Sequence, residues 1–207
     1  MTDRLEELFV RQRTLAARFH VIEEENNLLE YVGMPVEITD RHGQARLRAL
    51  MWRVVEEIGE FLDELDSRSP ISAAREELAD VLHFLIELYL SAGITAADLL
   101  QRNSGECPWA KDELERSFLL FESLTSTPRG LILKLILSLT SASHELKARP
   151  WKKDPKPTDL EKFRYKLVST FEAYIRLCDS CEMDADLLYN SFLNKETKNH
   201  ARIDGGA

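Results

Sequence analysis

The chain has 207 residues and carries 36 Asp and Glu against 27 Lys and Arg, a formal net charge of −9. That length fits one compact domain, and 44% apolar with 30% charged residues excludes a disordered chain. The acidic balance argues against a general nucleic-acid binder, which needs a basic face.

The first helix is expected over residues 3–30, where Leu5, Leu8, Phe9, Leu15, Phe19, Ile22 and Leu29 recur at helical spacing. Gly33, Pro35, Asp40 and Gly43 mark residues 33–43 as a loop. Residues 45–66 carry an amphipathic stripe of Leu47, Leu50, Met51, Val54, Val55, Ile58, Phe61, Leu62 and Leu65. Ser69 before Pro70 suits an N-cap followed by a proline in the first turn of a helix over 71–92, closing near Gly93. Thr95 caps a short helix to about Gln101, and a break follows at Gly105 to Pro108. Residues 110–124 and 129–147 are two further helices, separated by Ser126, Thr127 and Pro128. The Pro- and Lys-rich segment 149–159 is a surface loop, and helices over 159–179 and 184–196 complete the chain. The expected fold is therefore an all-α bundle of seven to eight helices in a single domain spanning 1–207, with residues 105–160 a smaller mobile lobe.

No apolar run approaches the ~20 residues of a membrane span. The charged start MTDRLEELF lacks a signal-peptide core. Three cysteines are too few for a disulfide framework, so a reducing cytoplasm is the expected location. Cys178 and Cys181 form a C-x-x-C without the second pair or βαβ context that zinc or redox chemistry wants, and are expected to be structural. The aromatics Trp52, Trp109 and Trp151 are not placed by periodicity, and Lys152, Lys153 and Lys156 are expected to be solvated.

The chemistry concentrates in residues 56–87. Glu57 and Glu60 form an E-x-x-E pair, and after sixteen intervening residues Glu77 and Asp80 form an E-x-x-D pair. Residues three apart share a helix face. Both pairs lie on the flank of an apolar stripe, together with Glu64 on the first helix and Phe84 and Glu87 on the second. The break between the helices is short, so the two should be antiparallel neighbours. Positions equally far from the bend then come level, Glu57 with Asp80 and Glu60 with Glu77. Four converging carboxylates repel one another unless a cation intervenes. Oxygen-only ligation selects a hard ion, Mg²⁺ or Mn²⁺, able to neutralise phosphates and activate a water.

This pattern resembles the all-α NTP pyrophosphatase superfamily, the MazG-like proteins and dimeric dUTPases. REELADVLHFLIEL, residues 75–88, is similar to the second metal-binding helix of the dimeric dUTPases. LYNSFLNKETKNHARIDGG, residues 188–206, is similar to their closing motif, whose Lys, Asn, Arg and Gly fall here on Lys195, Asn199, Arg202 and Gly206. RQRTLAARF, residues 11–19, resembles their first motif, with Gln12 and Leu15 in register and Ala16 where the motif has Asn.

The resemblance implies hydrolysis of dUTP to dUMP and pyrophosphate by a metal-activated water attacking the α-phosphorus, in a homodimer that contacts neither nucleic acid nor membrane. On this reading Glu57, Glu60, Glu77 and Asp80 hold Mg²⁺, and Glu60 orients or deprotonates the water. Lys195, Asn199 and Arg202, at i, i+4 and i+7, bind the distal phosphates from one helix face. Gln12 pairs with the uracil edge and Phe84 stacks on the base. His83 is expected to be a hydrogen-bonded interior group rather than a ligand. The same metal site acting on dCTP or a purine dNTP is the nearest alternative. A di-iron centre would need E-x-x-H on two helices, and only one D-x-x-H, Asp80 to His83, is present. A non-enzymatic helical interaction protein would tolerate loss of all four carboxylates.

Overall fold

The computed structural model describes residues 3–25, 33–67, 69–100, 107, 110–121, 127–149, 153 and 157–205. Among the described residues there are eight helices and no strand: Arg4–Glu25 (α1), Arg41–Asp66 (α2), Ile71–Ser91 (α3), Ala96–Leu100 (α4), Glu113–Phe121 (α5), Pro128–Glu145 (α6), Leu160–Ser180 (α7) and Ala185–Gly205 (α8). The all-α expectation holds. Leu29, Gln101, Gly105 and Pro108 of the expected break, Ser126, Trp109, Trp151, Lys152, Lys156 and Gly206 lie outside the described residues.

Three boundaries differ from the sequence expectation, each for a local reason. α2 begins at Arg41, inside the expected loop, because the Asp40 side chain accepts from His42 N (2.8 Å) and Gly43 N (3.2 Å). Pro70, not Ser69, occupies the N-cap position of α3, and no side chain caps that end. Ser69 N instead donates to Ser67 Oγ at 3.0 Å. α8 runs to Gly205, well past the expected end at 196, because tertiary contacts hold its last turns. Arg18 on α1 bonds His200 (2.6 Å) and pairs with Asp204, and Lys198 pairs with Glu76 at 2.9 Å. Elsewhere the punctuation reads correctly. Thr127 caps α6 through Gly130 N with Pro128 in the first turn. Gly93, at φ +68°, closes α3, with Gly93 N bonding Leu90 O and Ile94 N bonding Tyr89 O.

Two antiparallel pairs organise the molecule. α2 folds back on α3 across residues 67–70, burying Val54, Ile58 and Phe61 against Leu78, Val81, Leu82 and Leu85. α6 packs on α7, tied by Lys134 to Glu172 and by Glu145 to Lys162 and Lys166, with Lys147 just past α6 on the same carboxylate. The Lys166 ammonium bonded to it, helped by Lys162 and Lys147, holds the Glu145 carboxyl down at about 2. α1 and α8 lie against α3, and apolar residues from all eight helices join one core. The buried tyrosines find partners: Tyr174 OH donates to Leu78 O (2.8 Å), and Tyr89 OH lies 2.6 Å from Thr170 Oγ1.

The two glycines of α2 should respond oppositely to alanine. A Cβ at Gly43 would sit 2.2 Å from the Glu37 carbonyl oxygen, so Gly43→Ala should cost about 1–3 kcal/mol. A Cβ at Gly59 would meet nothing within 4 Å, so Gly59→Ala should add about 0.5–1 kcal/mol. Denaturant midpoints of the two variants check both signs.

Candidate active site

A pocket of about 660 Å³ opens between α1, α2, α3 and α8. Helical spacing puts one face of each helix on it. α1 contributes Gln12, Leu15, Phe19 and Glu23; α2 contributes Arg46, Ala49, Leu50, Arg53, Glu57 and Glu60. α3 contributes Glu77, Asp80, His83, Phe84 and Glu87, and α8 contributes Lys195, Asn199 and Arg202. Every site residue proposed from sequence therefore lines one cavity.

At one end the hairpin brings carboxylates together. Single oxygens of Glu57, Glu60 and Glu77 lie within 4.8 Å of one another. Asp80 is beside them, but Lys195 takes up its carboxylate in an ion pair and lies 3.8 Å from Glu77 Oε1. Burial, then the charges of Asp80, Glu60 and Glu77, pushes the Glu57 carboxyl up to about 7, and Lys195 offsets only part of this. Burial raises Glu77 as well, against the pull of Lys195. Burial opposes the charge on Lys195, but its bond to Asp80 and the surrounding carboxylates raise its pKa overall. An oxygen-only cluster with more negative charge than its one lysine balances fits a hard divalent cation.

The other end is polar and closed. Gln12, expected to meet the base edge, is only 3% exposed. His83 Nδ1 lies 2.6 Å from Gln12 Oε1, and Gln12 Nε2 lies 3.5 Å from Glu87 Oε2. Glu87 Oε1 accepts from Arg46 at 3.0 Å, and Arg46 also reaches His20 Nε2 (2.8 Å) and Glu23. The His83 ring stacks on Phe192 with centroids 3.7 Å apart. Burial pushes His83 down to about 3, so the ring is neutral, and it faces away from the carboxylate trio toward Gln12. That orientation is a poor match to an iron ligand. Phe84 is half-buried between pocket and core, and Arg202 is exposed, donating to Asn199 Oδ1 at 3.2 Å.

Over residues 4–206 the chain matches the family model described as dUTPase. The chain belongs to this dimeric, all-α dUTPase family. It is thus a dUTP diphosphatase, a hydrolase acting on acid anhydrides. No curated protein and no solved structure gave a significant match.

The sequence pattern marks Glu87 only as a flank position of the apolar stripe of α3, and it does not single out Arg46, His20, Glu23 or Arg53. Arg46 lies eleven residues before Glu57, three helical turns along the same face, which is the signal that would have found it. Ala16 is fully buried and is not among the pocket-lining residues. Cys178 and Cys181 are buried free thiols with pKa values raised by burial, in keeping with a structural role. A shallower depression of about 360 Å³ between α6 and α7 is lined by Leu133, Leu137 and two lysines, without a carboxylate. No described helix is long and apolar enough to cross a membrane.

The raised Glu57 pKa has a consequence for stability. The folded state keeps a proton at Glu57 between pH 4.5 and about 7 that the unfolded chain releases. Stability of the metal-free protein should therefore fall as pH rises through that window. Melting temperatures in EDTA at pH 5 to 8 should show the decline, and Glu57→Gln should flatten it, leaving the smaller part due to Glu77.

Proposed function

We propose that the enzyme converts dUTP and water to dUMP and pyrophosphate in a Mg²⁺-dependent reaction, with Mn²⁺ a substitute. The observation that carries this reading is a single pocket with a carboxylate cluster at one end and a buried amide at the other. Glu57, Glu60, Glu77 and Asp80 would hold the cation. Mg²⁺ supplies Lewis-acid polarisation of phosphoryl oxygens and acidifies water at neutral pH.

The chain's own groups supply the rest. Glu60, exposed at the mouth, orients the attacking water and takes its proton. Lys195 leaves Asp80 for the triphosphate, so the entering phosphate charge replaces the one it neutralises in the free enzyme. Arg202, extended by its bond to Asn199, grips the distal phosphates with its planar fork. Gln12 meets the base edge, and Phe84 offers its ring to the base. We further propose a homodimer acting in the cytoplasm, where the reaction removes dUTP and supplies dUMP. Ala16 in place of the motif's Asn favours one second reading, the same chemistry on dCTP or a purine dNTP.

Incubation with each dNTP and dUTP, with Mg²⁺ or with EDTA, tests the proposal by product identification. Pyrophosphate and dUMP should form fastest from dUTP, and only with metal; faster turnover of another dNTP moves the assignment to that nucleotide. Glu60→Gln and Glu77→Gln should each lower kcat at least about 100-fold while helicity by circular dichroism is kept. Retained activity in both would sink the metal-site assignment. Arg202→Ala should raise KM more than it lowers kcat.

A further inference from the structure

The closed end of the pocket imposes a donor–acceptor order that a glutamine alone does not. A free Gln amide is ambidextrous: turned over, it presents its oxygen where its nitrogen was. Uracil offers an acceptor at O4 and a donor at N3–H, whereas cytosine offers a donor at N4 and an acceptor at N3. A Gln free to flip can therefore serve either base, and discrimination needs something to hold the amide.

Two buried neighbours of Gln12 do so. Glu87, 6% exposed, spends Oε1 on Arg46 at 3.0 Å and turns Oε2 toward Gln12 at 3.5 Å. A carboxylate paired with a guanidinium only accepts, so the amide must turn its nitrogen to Glu87; an oxygen there would face a like charge. The amide oxygen then faces His83 Nδ1 at 2.6 Å, and this contact is shorter than the 3.3 Å from Nε2 to Phe192 O, so of the two acceptors facing the neutral ring Gln12 draws its proton to Nδ1. His83 is itself fixed by stacking on Phe192 and is 4% exposed. Gln12 is left with one N–H and one oxygen lone pair for a ligand, in a single order.

We propose that Glu87, held by Arg46, and His83 lock the Gln12 amide in one orientation and so make this end of the pocket select uracil over cytosine. Glu87 and Arg46 are positioning residues on this account, acting through Gln12 and not on the phosphates. The inference rests on the nucleotide reading above and deepens it.

The test compares kcat/KM for dUTP and dCTP in the wild type, in Glu87→Gln and in the double variant Arg46→Met/Glu87→Leu. In Glu87→Gln the new amide can donate or accept, so Gln12 can turn over. The dUTP/dCTP ratio should fall about tenfold or more, with dCTP losing less than dUTP or gaining. The double variant removes the lock without leaving Arg46 unpaired, so it covers the case in which the single variant does not fold; its ratio should fall likewise. A purely structural role would lower both substrates by the same factor, and a ratio within about twofold of wild type in a folded variant overturns the lock. A wild-type enzyme that prefers dCTP overturns it too. A wild type that releases pyrophosphate from no dNTP overturns the nucleotide reading itself, so the two failures are distinguishable.

Discussion

Apolar packing of α2 on α3 forces like charges together, and the rest of the site follows from that constraint. Ile58, Phe61, Leu78, Val81, Leu82 and Leu85 are fully or almost fully buried in the seam. Each such side chain contributes about 1.5–3 kcal/mol when removed from water. That drive sets the register of the hairpin, and the register carries Glu57, Glu60 and Glu77 to within 4.8 Å whether or not their charges favour it. The cost appears as a Glu57 carboxyl pushed up to about 7. The hairpin thus holds an electrostatic imbalance of the kind that a bound divalent cation offsets.

The second constraint is the docking of the last helix. α8 brings Lys195 into the cluster from outside the hairpin, where it pairs with Asp80. The same helix carries Asn199 and Arg202 along the pocket edge, and its outer turns are pinned to α1 through Arg18. A cation on a neighbouring helix moderates the repulsion without cancelling it. It also keeps a half-buried positive charge at the edge of the carboxylate cluster. The closing motif is thereby part of the electrostatics of the carboxylate cluster.

At the opposite end the logic is hydrogen-bond satisfaction rather than charge imbalance. Gln12, His83, Glu87 and Arg46 form a buried network in which each named group has a partner. Such networks rigidify because leaving any member unpaired is costly. One pocket therefore joins a strained, charge-rich end suited to phosphates and cation with an ordered, polar end suited to reading a base.

Sequence alone determined the helical fold, the bend between α2 and α3, and the approach of Glu57 and Glu60 to Glu77, while the expected fourth member, Asp80, is taken up by Lys195. These depend on helical periodicity and a short turn, both local. It also marked Lys195, Asn199 and Arg202 as one face, although it ended their helix too early, because Lys198, His200 and Asp204 are held by contacts to distant helices. Only the tertiary structure decided which way α8 leans, and hence that Lys195 pairs with Asp80. Only it showed that Gln12 is buried beside His83 and Glu87, and that Arg46 belongs to the pocket. Those pairings join residues 41 to 115 positions apart, and no periodicity within one helix records which face of another it will meet.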